Sequence, residues 1–171
     1  MLVVTAVVAA GLPGIGTAKQ VDQFGRWVYE ESIDPITDEV SYTGHLASRH
    51  DSPEAAVIMI GCSALKSPLR IAVKFDAYLG SGGGTRDFTY RAGKAEAVTE
   101  SWRYLEGDIV GTELPTDEAS PLRQALATRG ILYVRAMASN GRTIDASFDI
   151  SSGDNVVTRL MIDCKLDPRF L

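Results

Sequence analysis

Two cysteines constrain this chain more than any other feature, because they lie on segments of different type. Cys62 closes a short apolar run, residues 55–62 (AAVIMIGC), bounded by polar sequence and short enough to be a buried strand. Cys164 ends a stripe of Val156, Val157, Leu160, Met161 and Cys164, whose spacing describes one face of a helix. Cys164 therefore points towards the core that the apolar strand enters. No CxxC or other metal-ligand spacing is present. Two readings fit the pair: independent buried thiols, or a disulfide across 102 residues of chain. A link of that length confines the unfolded chain and is worth roughly 4–5 kcal/mol in the chain-entropy model.

The first eighteen residues bear on that choice. Residues 1–18 carry no charge; an apolar run, Leu2 to Ala10, precedes Gly11, Pro13 and Gly14, and small residues Gly16 and Ala18 stand before Lys19. These are the h-region and cleavage region of a secretory signal peptide, without the positively charged n-region. The competing reading is a buried N-terminal strand. The apolar stretch is too short to span a bilayer, which takes about 20 residues. Export places the cysteines in an oxidising compartment and favours the disulfide. The domain expectation is a signal-peptide remnant at 1–18 and one α+β domain at 19–171.

With 45% hydrophobic and 23% charged residues, the chain has the balance of a globular domain. A formal net charge of −5 with interspersed signs provides no basic face for nucleic acid, and equally disfavours an anionic membrane surface.

Strand-like segments lie at 25–31, 39–46, 55–62, 69–76, 86–91 and 102–110, with turn chemistry at Asp34, Pro35, Thr37 and Asp38 and a glycine-rich hairpin turn at 80–84. One helix is expected over 120–130, with Ser120 as N-cap, Pro121 as first residue, Arg129 in the last turn and Gly130 as the stop. A second begins near Asp154 as N-cap. Between them, 131–138 and 142–150 form a hairpin. A two-residue Asn140-Gly141 loop would mix core and solvent positions. A three-residue loop pairs Ala136 with Ile144, Val134 with Ala146 and Leu132 with Phe148, and puts Arg135 opposite Asp145 on the other face. The expected fold is α+β: a mainly antiparallel sheet of six to eight strands, two short helices packed on one side, and one disulfide.

Catalytic patterns are weak. His45 and His50 could join Asp51 or Glu54 at a metal, but a polar loop is the simpler reading. Ser63 in GCSA lacks the nucleophile elbow. Residues 80–84 (GSGGG) lead into β-prone sequence and not into the helix a phosphate loop requires. The acidic cluster Glu30, Glu31, Asp34, Asp38 and Glu39 could supply a glycosidase carboxylate pair or a solvated turn. No catalytic residue, metal or cofactor is assigned. Trp27 and Trp102 are candidates for a partner surface or for the core, and Tyr133, Arg135 and Asp145 complete the candidate partner surface.

The order of these features is similar to that of the type VI secretion-associated VasI/TagO-like family of exported bacterial proteins. The match runs from Trp27 and the Thr37-Asp38 turn through Cys62, the Tyr90-Arg91 pair and Trp102 to Phe148-Asp149-Ile150-Ser151 and Cys164, with Ser152 added before the family's glycine. The resemblance implies a non-enzymatic periplasmic accessory protein with an envelope protein as partner. The alternatives carried beside it are an envelope glycan hydrolase and an inhibitor of a cell-wall enzyme.

Overall fold

Strict alternation along the central segments makes strands with one apolar face. Ile58, Ile60 and Cys62 are buried while Val57, Met59 and Gly61 are only partly so, and Ile71, Val73 and Phe75 repeat the pattern. The structure, a computed structural model, describes residues 20–166. The signal-like segment 1–18 lies outside the described residues.

The strands are β1 (Gln20–Phe24), β2 (Trp27–Ile33), β3 (Val40–Ala47), β4 (Ala56–Cys62), β5 (Arg70–Phe75), β6 (Thr85–Ala92), β7 (Val98–Glu106), β8 (Ile109–Glu113), β9 (Ile131–Met137) and β10 (Thr143–Asp149). They form one antiparallel sheet of ten strands, ordered β1-β2-β3-β4-β5-β8-β7-β6-β9-β10. The expected six to eight strands are corrected in two places. The short polar β1 escaped the pattern, and residues 102–110 straddle the β7–β8 turn at Gly107 and Asp108.

The glycine-rich segment is not a hairpin turn. After β5 the chain passes over two strand positions before entering β6, and β7 and β8 then fold back so that β8 lies beside β5, a Greek-key arrangement. Residues 80–84 lie along β7: the Gly83 amide donates to the Tyr104 carbonyl at 2.9 Å. A Cβ at Gly82 would stand 3.0 Å from the Leu105 carbonyl oxygen. Glycine there eases the approach of backbone to backbone, since a side chain would press on that carbonyl.

Two short helices cannot cover ten strands, so the sheet buries its inner face against itself. It curls until the β3–β4 loop meets the outer edge of β10, where the Arg49 amide donates to the Ser147 carbonyl at 2.8 Å and the Ser147 amide donates to Ser52 Oγ at 3.0 Å. The inner-face residues of both halves join one core with the helices, including Phe88 stacked on Trp102 at 4.0 Å between centroids.

Helix α1 (Pro121–Ala127) is capped as expected, with Ser120 Oγ accepting from the Arg123 amide. It ends before Arg129, because Thr128 turns its hydroxyl onto the Gln124 carbonyl at 2.8 Å and leaves helical geometry. Helix α2 (Gly153–Asp163) starts two residues earlier than expected, so Asp154 lies in its first turn and Ser152 takes the cap position. Gly153 allows α2 to approach α1: a Cβ there would lie 2.7 Å from the Leu126 carbonyl oxygen. Cys164 at the end of α2 is bonded to Cys62 at the end of β4, with an S–S distance of 2.05 Å. Tyr29 on β2 donates to the Asp163 carboxylate, which also accepts from Arg159 Nε at 2.7 Å.

Candidate functional site

The β9–β10 hairpin has the register that the apolar pattern selects, with Ala136 opposite Ile144, Val134 opposite Ala146 and Leu132 opposite Phe148. Gly141 takes a φ of +80° in the three-residue loop. That register places Tyr133, Arg135 and Asp145 together on the outer face of the sheet. Pairing of β9 with β6 then sets Arg135 beside Thr89 and Tyr133 beside Arg91.

Two cross-strand rows result. The first runs Thr99, Thr89, Arg135, Asp145 from β7 to β10. Thr99 and Thr89 share a hydroxyl hydrogen bond of 2.8 Å, and Arg135 makes a bidentate contact to Asp145 at 2.7 and 2.8 Å. The second row runs Arg91, Tyr133, Ser147, and there the β3–β4 loop rises over the edge of β10 as a wall. The Arg91 guanidinium lies over the Tyr133 ring, 5.3 Å from its centroid, an attraction to the ring's negative face. Tyr133 itself is 42% exposed.

Rows and wall enclose a groove of about 520 Å³, with Pro53, Ala97 and Ile131 as its apolar flanks. The wall is tied down on both sides. Besides the bonds that the Arg49 amide and Ser52 Oγ each make to Ser147, Ser52 Oγ donates to the Glu54 carbonyl at 2.7 Å, and Arg49 holds Asp51 through two bonds of 2.8 and 2.7 Å. The groove is therefore preformed by strands and a braced loop. A second hollow, lined by Arg26, His50 and Asp149, adjoins it across Arg49 and Asp51.

Charge in the groove is arranged in pairs. Hydrogen bonds from Arg49 hold the Asp51 carboxyl below the usual carboxylate range, and those from Arg135 do the same for Asp145. Arg91 differs from Arg49 and Arg135: no carboxylate partner faces it among the described residues, and its contact is the Tyr133 ring.

The structure separates the candidate partner residues. Tyr133, Arg135 and Asp145 line the groove. Trp27 and Trp102 do not belong to any partner surface: they are 0% and 1% exposed, because both lie on the inner face, where Trp27 packs near Gly44 and Gly153 and Trp102 under Phe88. The acidic cluster is tied to its turn. Asp34 Oδ1 accepts from the Ile36 and Thr37 amides at 2.8 and 3.0 Å, and those bonds hold its carboxyl low. His45 lies 3.8 Å from Glu30 on β2, while His50 sits in the β3–β4 loop. Among the described residues no group of three or more His, Cys, Asp or Glu side chains could hold a metal ion.

No family model matches this chain, and no match was found among curated proteins or solved structures.

Sequence reasoning missed Arg91, Thr89 and Arg49 as groove residues. Alternation in β6 marks Thr89 and Arg91 as outward-facing, but only the distant pairing of β6 with β9 brings them to Tyr133.

Proposed function

We propose that this chain is an exported, disulfide-closed binding module of the bacterial cell envelope, non-enzymatic, which holds a partner protein in the groove over β6, β9 and β10. The observation that carries this reading is the Arg91–Tyr133 platform, an exposed aromatic ring and a guanidinium at the floor of a preformed groove. Tyrosine and arginine are the side chains that dominate protein-binding hot spots, and a braced site loses little entropy on binding. The Cys62–Cys164 bond supports an oxidising location. No helix among the described residues is long and apolar enough to cross a membrane. The order of features read from the sequence resembles that of the VasI/TagO-like family, and on that resemblance the role is an accessory one beside an envelope apparatus. Glycan hydrolysis by the early acidic cluster is the weaker reading, since Asp34 accepts its own turn's amides and is a poor proton donor.

Intact-mass measurement on protein from the periplasmic fraction, with and without reductant, tests the location. Loss of residues 1–18 and a gain of two hydrogen atoms on reduction is the expected result. A full-length, reduced protein confined to the cytoplasm contradicts it.

A further inference from the structure

We infer that the groove takes an extended acidic peptide segment of the partner, with an aspartate or glutamate side chain of that segment meeting Arg91 above the Tyr133 ring. This deepens the binding-module reading and rests on it.

The charge pattern selects the ligand. Three arginines and two aspartates line the groove of a chain whose net charge is −5, so the groove is locally cationic on an acidic protein. Arg49 and Arg135 already make bidentate bonds to carboxylates. The Arg91 guanidinium lies over the Tyr133 ring, 5.3 Å from its centroid, and no carboxylate among the described residues pairs with it, which leaves its N–H donors for an incoming acid. The guanidinium fork matches a carboxylate in geometry and adds direction to charge. A phosphate dianion or a nucleic-acid backbone fits less well, because only one guanidinium of the groove lacks an acid and the paired Asp51 and Asp145 flank it, so a single carboxylate is matched and a higher local charge is not. One guanidinium without an acid calls for one carboxylate at a time.

The remaining lining suits a polypeptide. The Thr89 hydroxyl, which lines the groove and is oriented by its bond to Thr99, offers a hydrogen-bonding group to a peptide backbone. Pro53, Ala97 and Ile131 accept an apolar side chain beside the acid. The volume, about 520 Å³, falls within the range of sites that enclose small ligands and accommodates a short segment of chain.

The test is a titration of the ¹⁵N-labelled protein with an acetylated, amidated peptide that carries one aspartate beside a phenylalanine among serine residues. A peptide with asparagine at the aspartate position is the control. The aspartate peptide is expected to shift the amides of Thr89, Arg91, Tyr133 and Ser147 saturably, and the asparagine peptide is not. Arg91→Gln should weaken binding by about tenfold, the loss of one charge-assisted contact. Arg91→Lys, which keeps charge without the fork, should weaken it by a smaller factor. Because Arg91 is exposed, both variants should melt with the parent protein, which separates binding from folding. Equal binding of the two peptides in the groove overturns the acidic-ligand inference while leaving the groove a binding site. Unchanged affinity in Arg91→Gln overturns it as well. Shifts that map away from the groove overturn both the inference and the reading beneath it.

Discussion

The backbone amide of Arg49 donates to the carbonyl of Ser147 at 2.8 Å, joining the loop after the third strand to the outer edge of the tenth. The bond crosses nearly 100 residues of sequence and has two consequences: it covers a sheet edge that would otherwise be open to pairing with another chain, and it raises the wall of the groove. The adjoining bond from the Ser147 amide to Ser52 Oγ can be tested at Ser52, whose hydroxyl also donates to the Glu54 carbonyl, and Ser147 is buried. Ser52→Ala should leave that amide without its acceptor and cost about 1–3 kcal/mol. Hydrogen exchange at Ser147 should accelerate, while exchange at Val73 on the far side of the sheet follows global stability only.

The disulfide ties the end of α2 to the end of β4, and its loop is long. Replacing both Cys62 and Cys164 by serine should lower stability by about 4 kcal/mol on the chain-entropy account. Denaturant unfolding of the double variant and of the reduced parent should give similar midpoints. A loss below about 1 kcal/mol would mean that the Tyr29–Asp163–Arg159 contacts already hold the helix end without the bond.

Gly153 sets the distance between the two helices. Gly153→Ala brings a Cβ to 2.7 Å from the Leu126 carbonyl oxygen, and that atom is backbone with little room to yield. Better helix propensity offers at most about 1 kcal/mol in return, against about 1–3 kcal/mol for overpacking. A net destabilisation measured by thermal unfolding is expected. A stabilised variant would show that α1 can move away freely.

The Arg135–Asp145 pair predicts a small pH dependence with a definite sign. Hydrogen bonds from Arg135 lower the folded carboxyl below its unfolded value, so the pair stabilises the fold above the ordinary carboxylate pKa of about 3.9 and loses that contribution as pH falls through the lower native value. Both side chains are more than a third exposed, which limits the pair to about 0.2–1 kcal/mol. Asp145→Asn should flatten the acid limb of stability against pH by no more than this amount, and high salt should diminish the difference.

Local chemistry was legible in the sequence and distant pairing was not. The β9–β10 hairpin, its three-residue loop and the Arg135–Asp145 pair follow from period-two patterning around one turn. The Ser120 cap and the core face of α2 follow from helix rules. Segment 80–84 misled because glycine serves a tight turn and a close backbone approach equally well, and only the Greek-key order of β5 to β8 decides between them. Trp27 and Trp102 each had two readings until the curl of the sheet placed their strands' inner faces in the core. The groove depends on β6 meeting β9 and on the β3–β4 loop meeting β10, contacts that no local pattern encodes.

Site-specific photo-crosslinking in intact cells tests most directly whether the groove is the working surface. A photoreactive residue would replace Ala97 on the groove flank, which leaves the Arg91–Tyr133 platform intact, and, in a control, Ala72 on the outward side of β5. A discrete adduct formed from position 97, absent from position 72 and diminished by Arg91→Gln, is the predicted result. Equal labelling from both positions, or an adduct from position 72 alone, would contradict the account.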